Sequence, residues 1–184
     1  SDGAAALIIT TPEIAESYAH AKDYVVVKAN ALAVETMTPW YKPSYTFTEF
    51  TSTEKAAKHA YKEAGITDPK KEISFAEVHD CFTIAEIIAT EDIGFFESGQ
   101  GYIAAEEGLT AREGEKPINT SGGLKSKGHP VGASGAGQVV EIWKQLRGLA
   151  GKRQVSGTPD LGLTHNVGGT GQTAVVHIFE RRSS

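Results

Sequence analysis

Two apolar spacings alternate along this chain: short aliphatic or β-branched runs, and longer stretches with apolar positions three and four apart. The first spacing suits strands and the second suits helices. Residues 4–10 are an apolar run and predict a short buried strand. Thr11-Pro12-Glu13 then predicts a helix start, with Thr11 as N-cap, Pro12 in the first turn and the helix continuing to Lys22. The β-branched run Tyr24 to Ala29 predicts the next strand. Over residues 36–50, Pro39 and Pro43 interrupt Trp40, Tyr41, Tyr45, Phe47 and Phe50. That segment reads as an irregular loop, either packed on its own aromatic side chains, the commoner outcome, or lining a ligand groove.

Thr53 to Ala64 has helical spacing closed by Gly65, and Asp68-Pro69 marks a turn. Ile73 to Val78 predicts a strand, and Ile84 to Ile93 a helix stopping at Gly94. Residues 97–119 are polar, with a short helix near Ala104–Gly108. A glycine-dense stretch, Gly122 to Gly137, leads into an amphipathic helix over Val139–Leu149. Leu161–Thr164 and Thr173–Phe179 predict two strands, with His165 to Gly171 at the hairpin tip. No internal repeat is present. The alternation of strand and helix implies an α/β layer fold closed by a hairpin.

Composition narrows the classes. The 184 residues are 40% hydrophobic and 22% charged, which fits a globular protein with one ordinary core, or one domain plus a fragment of another. A net charge of -5 gives no basic footprint for nucleic acid. An anionic substrate would need local basic groups or backbone N–H donors. No apolar run approaches the roughly 20 residues of a membrane span. No basic leader with an apolar core is visible, and the single cysteine, Cys81, leads us to expect a reducing compartment, the cytoplasm. Ser1 to Ile9 runs straight into an apolar segment, so we expect a chain cut from a larger fold.

Of the six histidines, His20 and His59 sit in helical patterns and His177 in a strand, where a surface or satisfied core role is expected. His79, His129 and His165 fall at strand ends or in glycine-rich turns. His79-Asp80-Cys81-Phe82 stands between a strand and a helix, where open α/β sheets gather ligand-handling residues. The plain alternative is an Asp-capped helix start with a buried cysteine. In Gly128-His129-Pro130-Val131-Gly132, the proline restricts His129 to extended backbone, which pre-orients the ring as a base or donor. Gly132, Gly135 and Gly137 do not have the spacing of a dinucleotide fingerprint, and no strand directly precedes them. His165-Asn166-Val167-Gly168-Gly169 alone would read as turn geometry. Three His-bearing turns and one thiol together are what acyl transfer needs: a thiolate, a proton-handling imidazole, and donors for a thioester oxyanion. Metal binding is the rival use, but no His or Cys pair has close ligand spacing, so no metal site is expected.

The blocks His79-Asp80-Cys81-Phe82, Gly128-His129-Pro130 and His165-Asn166-Val167-Gly168-Gly169, with Ser121-Gly122-Gly123-Leu124 and the opening Ser1-Asp2-Gly3-Ala4-Ala5-Ala6, carry a family likeness. In order and spacing the chain resembles the thiolase superfamily, closest to its sterol-carrier-protein-type and archaeal acetoacetyl-CoA branch. The resemblance implies a thiolase-like C-terminal half, a layered βαβαβαββ mixed sheet with helices on its faces. Residues 1–21 would be the tail of an N-terminal half, and 22–184 the C-terminal domain.

The resemblance also implies an acyl-CoA C-acyltransferase, acting by Claisen condensation or by thiolysis of 3-ketoacyl-CoA. Its nucleophilic cysteine would belong to the other half, since Cys81 is not in that position, and this chain alone would be inactive. His129 would polarise that cysteine and, with His79, form the first oxyanion hole; Phe82 would touch the pantetheine arm. Cys81 is the preferred α-carbon acid/base, with His165 the alternative, and a backbone N–H near Val167 or Gly168 would serve the second hole. Coenzyme A and acetyl-CoA would be substrates, with no permanently bound cofactor. Expected partners are the N-terminal half, further copies in a homo-oligomer, and, as in archaeal relatives, a hydroxymethylglutaryl-CoA synthase with a small bridging protein. Two other readings stay open: an aldolase of the same fold acting on β-hydroxyacyl-CoA, and a non-catalytic lipid-transfer or assembly subunit.

Overall fold

The computed structural model describes residues 1–18 and 24–182. Its strands are β1 (Val25–Val34), β2 (Phe75–Glu77), β3 (Leu161–Gly168) and β4 (Thr173–Arg181). They form one mixed sheet in the order β1-β4-β3-β2. β1 and β3 run antiparallel to β4, whereas β2 is parallel to β3. A parallel bridge from Ala76 to Ile118 adds a rudimentary strand beyond β2. With α2 (Thr51–Ala64), α4 (Thr83–Asp92) and α7 (Val131–Leu146) between successive strands, the order is the expected βαβαβαββ. Short helices α1 (Pro12–Glu16), α3 (Pro69–Glu72), α5 (Gly101–Glu106) and α6 (Gly123–Lys127) complete the described elements, with 3₁₀ turns at Thr38–Tyr41 and Gly151–Arg153.

Strand alternation divides the core between the two faces of the sheet. Ile178, Val176, Leu163 and Val167 face α2 and pack with Ala56, Ala57 and Ala60. Phe179 and Phe75 face the other way, toward Ile142 and Leu146 of α7. Gly162 lies on that second face, where an added Cβ would come within 2.8 Å of the Phe75 ring. Several local signals act as expected. Thr11 caps α1 ahead of Pro12, and Gly65, in the left-handed region at φ 73°, ends α2. Trp40, Tyr45 and Phe47 pack on one another within the irregular loop, with ring centroids 4.8 to 6.3 Å apart.

Other expectations are corrected. Residues 4–10 form no strand, and Ile8 and Ile9 are 97% and 81% exposed. None of the four strands pairs with that run, so its backbone has no ladder partner to hold it extended in the sheet. The first helix ends at Glu16 rather than running on; Lys22, His20 and the 21/22 boundary lie outside the described residues. β1 continues to Val34 because β4 pairs with it along its whole length. The last long helix begins at Val131, eight residues before the amphipathic run from Val139, since the glycines after Pro130 are accommodated in helix. β3 continues to Gly168, so the hairpin turn falls after His165-Asn166-Val167.

Phe50 precedes α2 but has no side chain able to cap it. Asp92, from the end of α4, accepts the Phe50 N–H at 2.6 Å instead. Burial, reinforced by Glu54, Glu49 and Glu91, raises the Asp92 carboxyl from 3.8 to about 7. The folded chain therefore holds a proton that the unfolded chain releases between about pH 4 and 7, and Asp92 makes stability fall as pH rises through that window. Asp92→Asn keeps an oxygen acceptor but cannot ionise. Urea unfolding at pH 5 and 7.5 should show the variant losing less stability than wild type on going up in pH. An equal loss would remove Asp92 from the account. Comparing the two proteins separates Asp92 from Glu77 and Glu86, whose raised values act in the same sense. It also separates Asp92 from the depressed histidines, which act in the opposite sense at lower pH.

Candidate active site

Two loops at the carboxyl end of β2 meet here. The first, Val78 to Phe82, leads from β2 into α4; the second, Asn119 to Pro130, contains α6 and leads into α7. Asp80 ties them together. It is buried, and it accepts the Leu124 N–H at 2.7 Å and the Lys125 N–H at 3.4 Å. The expected plain role for Asp80 thus has a different target: it caps α6 rather than its own helix. Gly123 makes the approach possible, because its φ is +60° and an added Cβ would stand 2.1 Å from Asp80 Oδ2.

The join brings His79 and His129 into edge-to-face ring contact, 5.0 Å between centroids at 85°. His129 is oriented by its own side chain. Ser134 Oγ–H donates to the Pro130 carbonyl at 3.1 Å, so its lone pair accepts Nδ1–H of His129 at 2.7 Å. That tautomer leaves Nε2 unprotonated, with a lone pair available to a substrate or nucleophile. His79 is buried, and its Nδ1 has no hydrogen-bond partner. Burial, then the neighbouring His129, lower its pKa, partly offset by Asp80.

His165 sits elsewhere than its glycine-rich surroundings suggested. It is a mid-strand residue of β3 on the α2 face, in phase with Leu163 and Val167, and fully buried. Thr53 of α2 bonds its Nε2 at 2.9 Å, and Gln138 donates to its backbone carbonyl at 3.1 Å. Desolvation, then the proximity of His79, lower its pKa to about 3, so the ring is neutral across the physiological range. Val167 pairs with Ala174 and Gly168 with Thr173 at the end of the β3–β4 ladder. Cys81 is a free, half-buried thiol, and Phe82 is 68% exposed, with Lys125 Nζ 6.0 Å from its ring centroid. His59 lies in α2, and His177 meets Thr164 across the hairpin at 3.3 Å. No group of three or more His, Cys, Asp or Glu among the described residues is placed to hold a metal ion.

Some participants are invisible to motif reading. Ser134 had a usable signal: it lies four residues after Pro130, the spacing at which a helical serine bonds back to a carbonyl. Thr53 is 112 residues from His165, and no local pattern connects them. Asn119 and Glu86, which bond each other at 2.7 Å, were also missed.

A family model described as "Thiolase C-terminal domain-like" matches residues 33–181. The chain is 48% identical over 181 residues to an acetyl-CoA acetyltransferase of Methanothermobacter thermautotrophicus, covering 98% of this chain and 45% of that protein. It is 36% identical over 181 residues to sterol carrier protein 2 of Homo sapiens, covering 98% and 32%. Among solved structures, an Ltp2-ChsH2(DUF35) aldolase superposes with a TM-score of 0.72 at 21% identity, over 85% of this chain and 39% of that one. A monomeric SCP2-thiolase-like protein type 1 from Mycobacterium smegmatis gives 0.58 at 15%, over 85% and 29%. These two likenesses speak to fold. The chain spans less than half the length of these relatives.

Proposed function

The chain belongs to the thiolase family, and from that premise we propose that it supplies the proton-handling and oxyanion side of an acyl-CoA C-acyltransferase. The observation that carries this reading is His129, held through Nδ1 by Ser134 at 2.7 Å with its ring against His79. In the proposed reaction, a cysteine in the other half attacks the acyl-CoA thioester, and CoA leaves as its thiolate. His129 takes the proton of that cysteine. His79 and His129 together donate to the oxyanion. A second acyl-CoA then loses an α-proton, which balances the CoA thiolate already released, and its carbon attacks the acyl-enzyme. The C–C bond of the 3-ketoacyl product forms as the acyl C–S bond breaks, and the departing cysteine thiolate takes its proton back from His129; thiolysis is the reverse. Cys81 is the better candidate for the α-proton, because His165 is buried, neutral and engaged with Thr53. A backbone N–H at Val167 or Gly168 would hold the second oxyanion, and Phe82 would lie along the pantetheine arm.

We place this chemistry in the cytoplasm, with CoA esters as substrates and no resident cofactor. Its partners would be the nucleophile-bearing half, further copies of the same protein, and a synthase held through a small bridging protein. The two-component aldolase among the fold neighbours supports a partnered reading.

The test is mass spectrometry of the full-length protein after exposure to acetyl-CoA. One acetylated cysteine other than Cys81 is expected, and the 184-residue chain alone should show no turnover. An intact fold with no labelled cysteine would defeat the thiolase reading. Cleavage of a β-hydroxyacyl-CoA in that case would assign the aldolase activity, and its absence a binding or assembly role.

A further inference from the structure

His129 and His79 reach the site by different physical means. His129 has a side-chain hydrogen bond that fixes its ring. His79 has none at Nδ1, so where its ring points is inherited from the backbone around it. That backbone is held at both ends by one residue. The Asn119 main-chain N–H bonds the Ala76 carbonyl at 2.9 Å, and its side-chain Oδ1 accepts the Val78 N–H at 2.8 Å, directly before His79. Its Nδ2 donates to Glu86 Oε2 at 2.7 Å, in the first turn of α4 directly after the loop. To do this, Asn119 takes a left-handed backbone with φ 52°, which asparagine tolerates better than most residues. It is buried, and it also begins the second loop, the one that carries His129.

We propose that Asn119 and Glu86 form a clamp that positions His79 against His129, Asn119 bridging the entry and exit of the His79 loop. Neither residue touches the reacting atoms; both are positioning residues. The inference rests on the thiolase reading for its kinetic consequence, and on geometry alone for the loop. Asp80 anchors the middle of the same loop to α6, so removing the clamp should loosen the loop without freeing it.

The experiment uses the full-length protein. Asn119→Gly keeps the left-handed backbone and removes only the side-chain bonds. Its kcat should fall on the order of 10- to 100-fold, as expected for a catalytic group displaced by about 1 Å, with KM little changed. Hydrogen exchange of the peptide covering residues 78–83 should accelerate. Glu86→Ala should act in the same direction and carries the test if the glycine variant does not fold. Glu86→Gln, which keeps an acceptor for Asn119 Nδ2, should recover most of the loss. Wild-type kcat in Asn119→Gly, or equal impairment in Glu86→Gln and Glu86→Ala, would overturn the clamp. Faster loop exchange in a protein that shows no acyl transfer would support the clamp while defeating the thiolase reading.

Discussion

In the full-length protein, His129→Ala should lower kcat/KM by about 10²- to 10⁴-fold, the range that a positioned general base contributes. His129 is half-buried in a loop between α6 and α7, and its ring contributes to no core cluster. The variant should therefore fold with a urea midpoint near wild type, which separates lost chemistry from lost structure. Acetyl transfer to the cysteine should slow along with overall turnover, because the same imidazole is proposed to take the thiol proton. Ser134→Ala should cost less, since it frees the tautomer and orientation of the ring but leaves the ring in place. A His129→Ala protein that acetylates at the wild-type rate would show that another base does this work.

Gly123→Ala is expected to give the largest effect on stability. The left-handed backbone at φ +60° costs an alanine about 1–2 kcal/mol. The new Cβ would also occupy the place of Asp80 Oδ2, only 2.1 Å away. Asp80 has no easy retreat: it is buried and already holds the Leu124 and Lys125 N–H groups. Losing a hydrogen bond to a charged group adds roughly 1.5–3 kcal/mol. Together these come to about 2.5–5 kcal/mol, a large part of the roughly 5–15 kcal/mol that keeps a domain folded. The urea midpoint should fall sharply, and loop 78–82 should exchange faster. Gly137→Ala is the matched control. It lies inside α7 with nothing within 4 Å of an added Cβ, so it should be neutral or stabilising by about 0.5–1 kcal/mol. A midpoint for Gly123→Ala equal to that of the control would show that Asp80 does not depend on this approach.

Both predictions concern the same joint, and each half of it was legible to a different degree. His79-Asp80-Cys81-Phe82 and Gly128-His129-Pro130 stood out because a strand end and a proline-restricted histidine are local features. That Asp80 would cap α6, 44 residues further on, was not local and could not be read. His165 shows the reverse error. Glycines at 168, 169 and 171 drew the turn too early, whereas pairing with β4 holds His165 to Gly168 in strand. Once the strand continues through residue 165, alternation puts His165 on the same face as Leu163 and Val167, and so it lies under α2.

By itself, the sequence determined the α/β class, the order of its main elements and the two histidine turns, because periodicity, caps and proline restriction act within a few residues. Tertiary structure alone decided that Ala4 to Thr10 has no strand partner and that His165 is buried and neutral. It also decided that Asn119 spans the His79 loop and that Ser134 sets the tautomer of His129. Most of these outcomes depend on which distant groups meet. Even Ser134, whose spacing was local, acquires its role only from where the His129 ring is placed. Burial, pairing and hydrogen-bond partners are properties of the packed chain, and they set both the charge and the direction of a side chain.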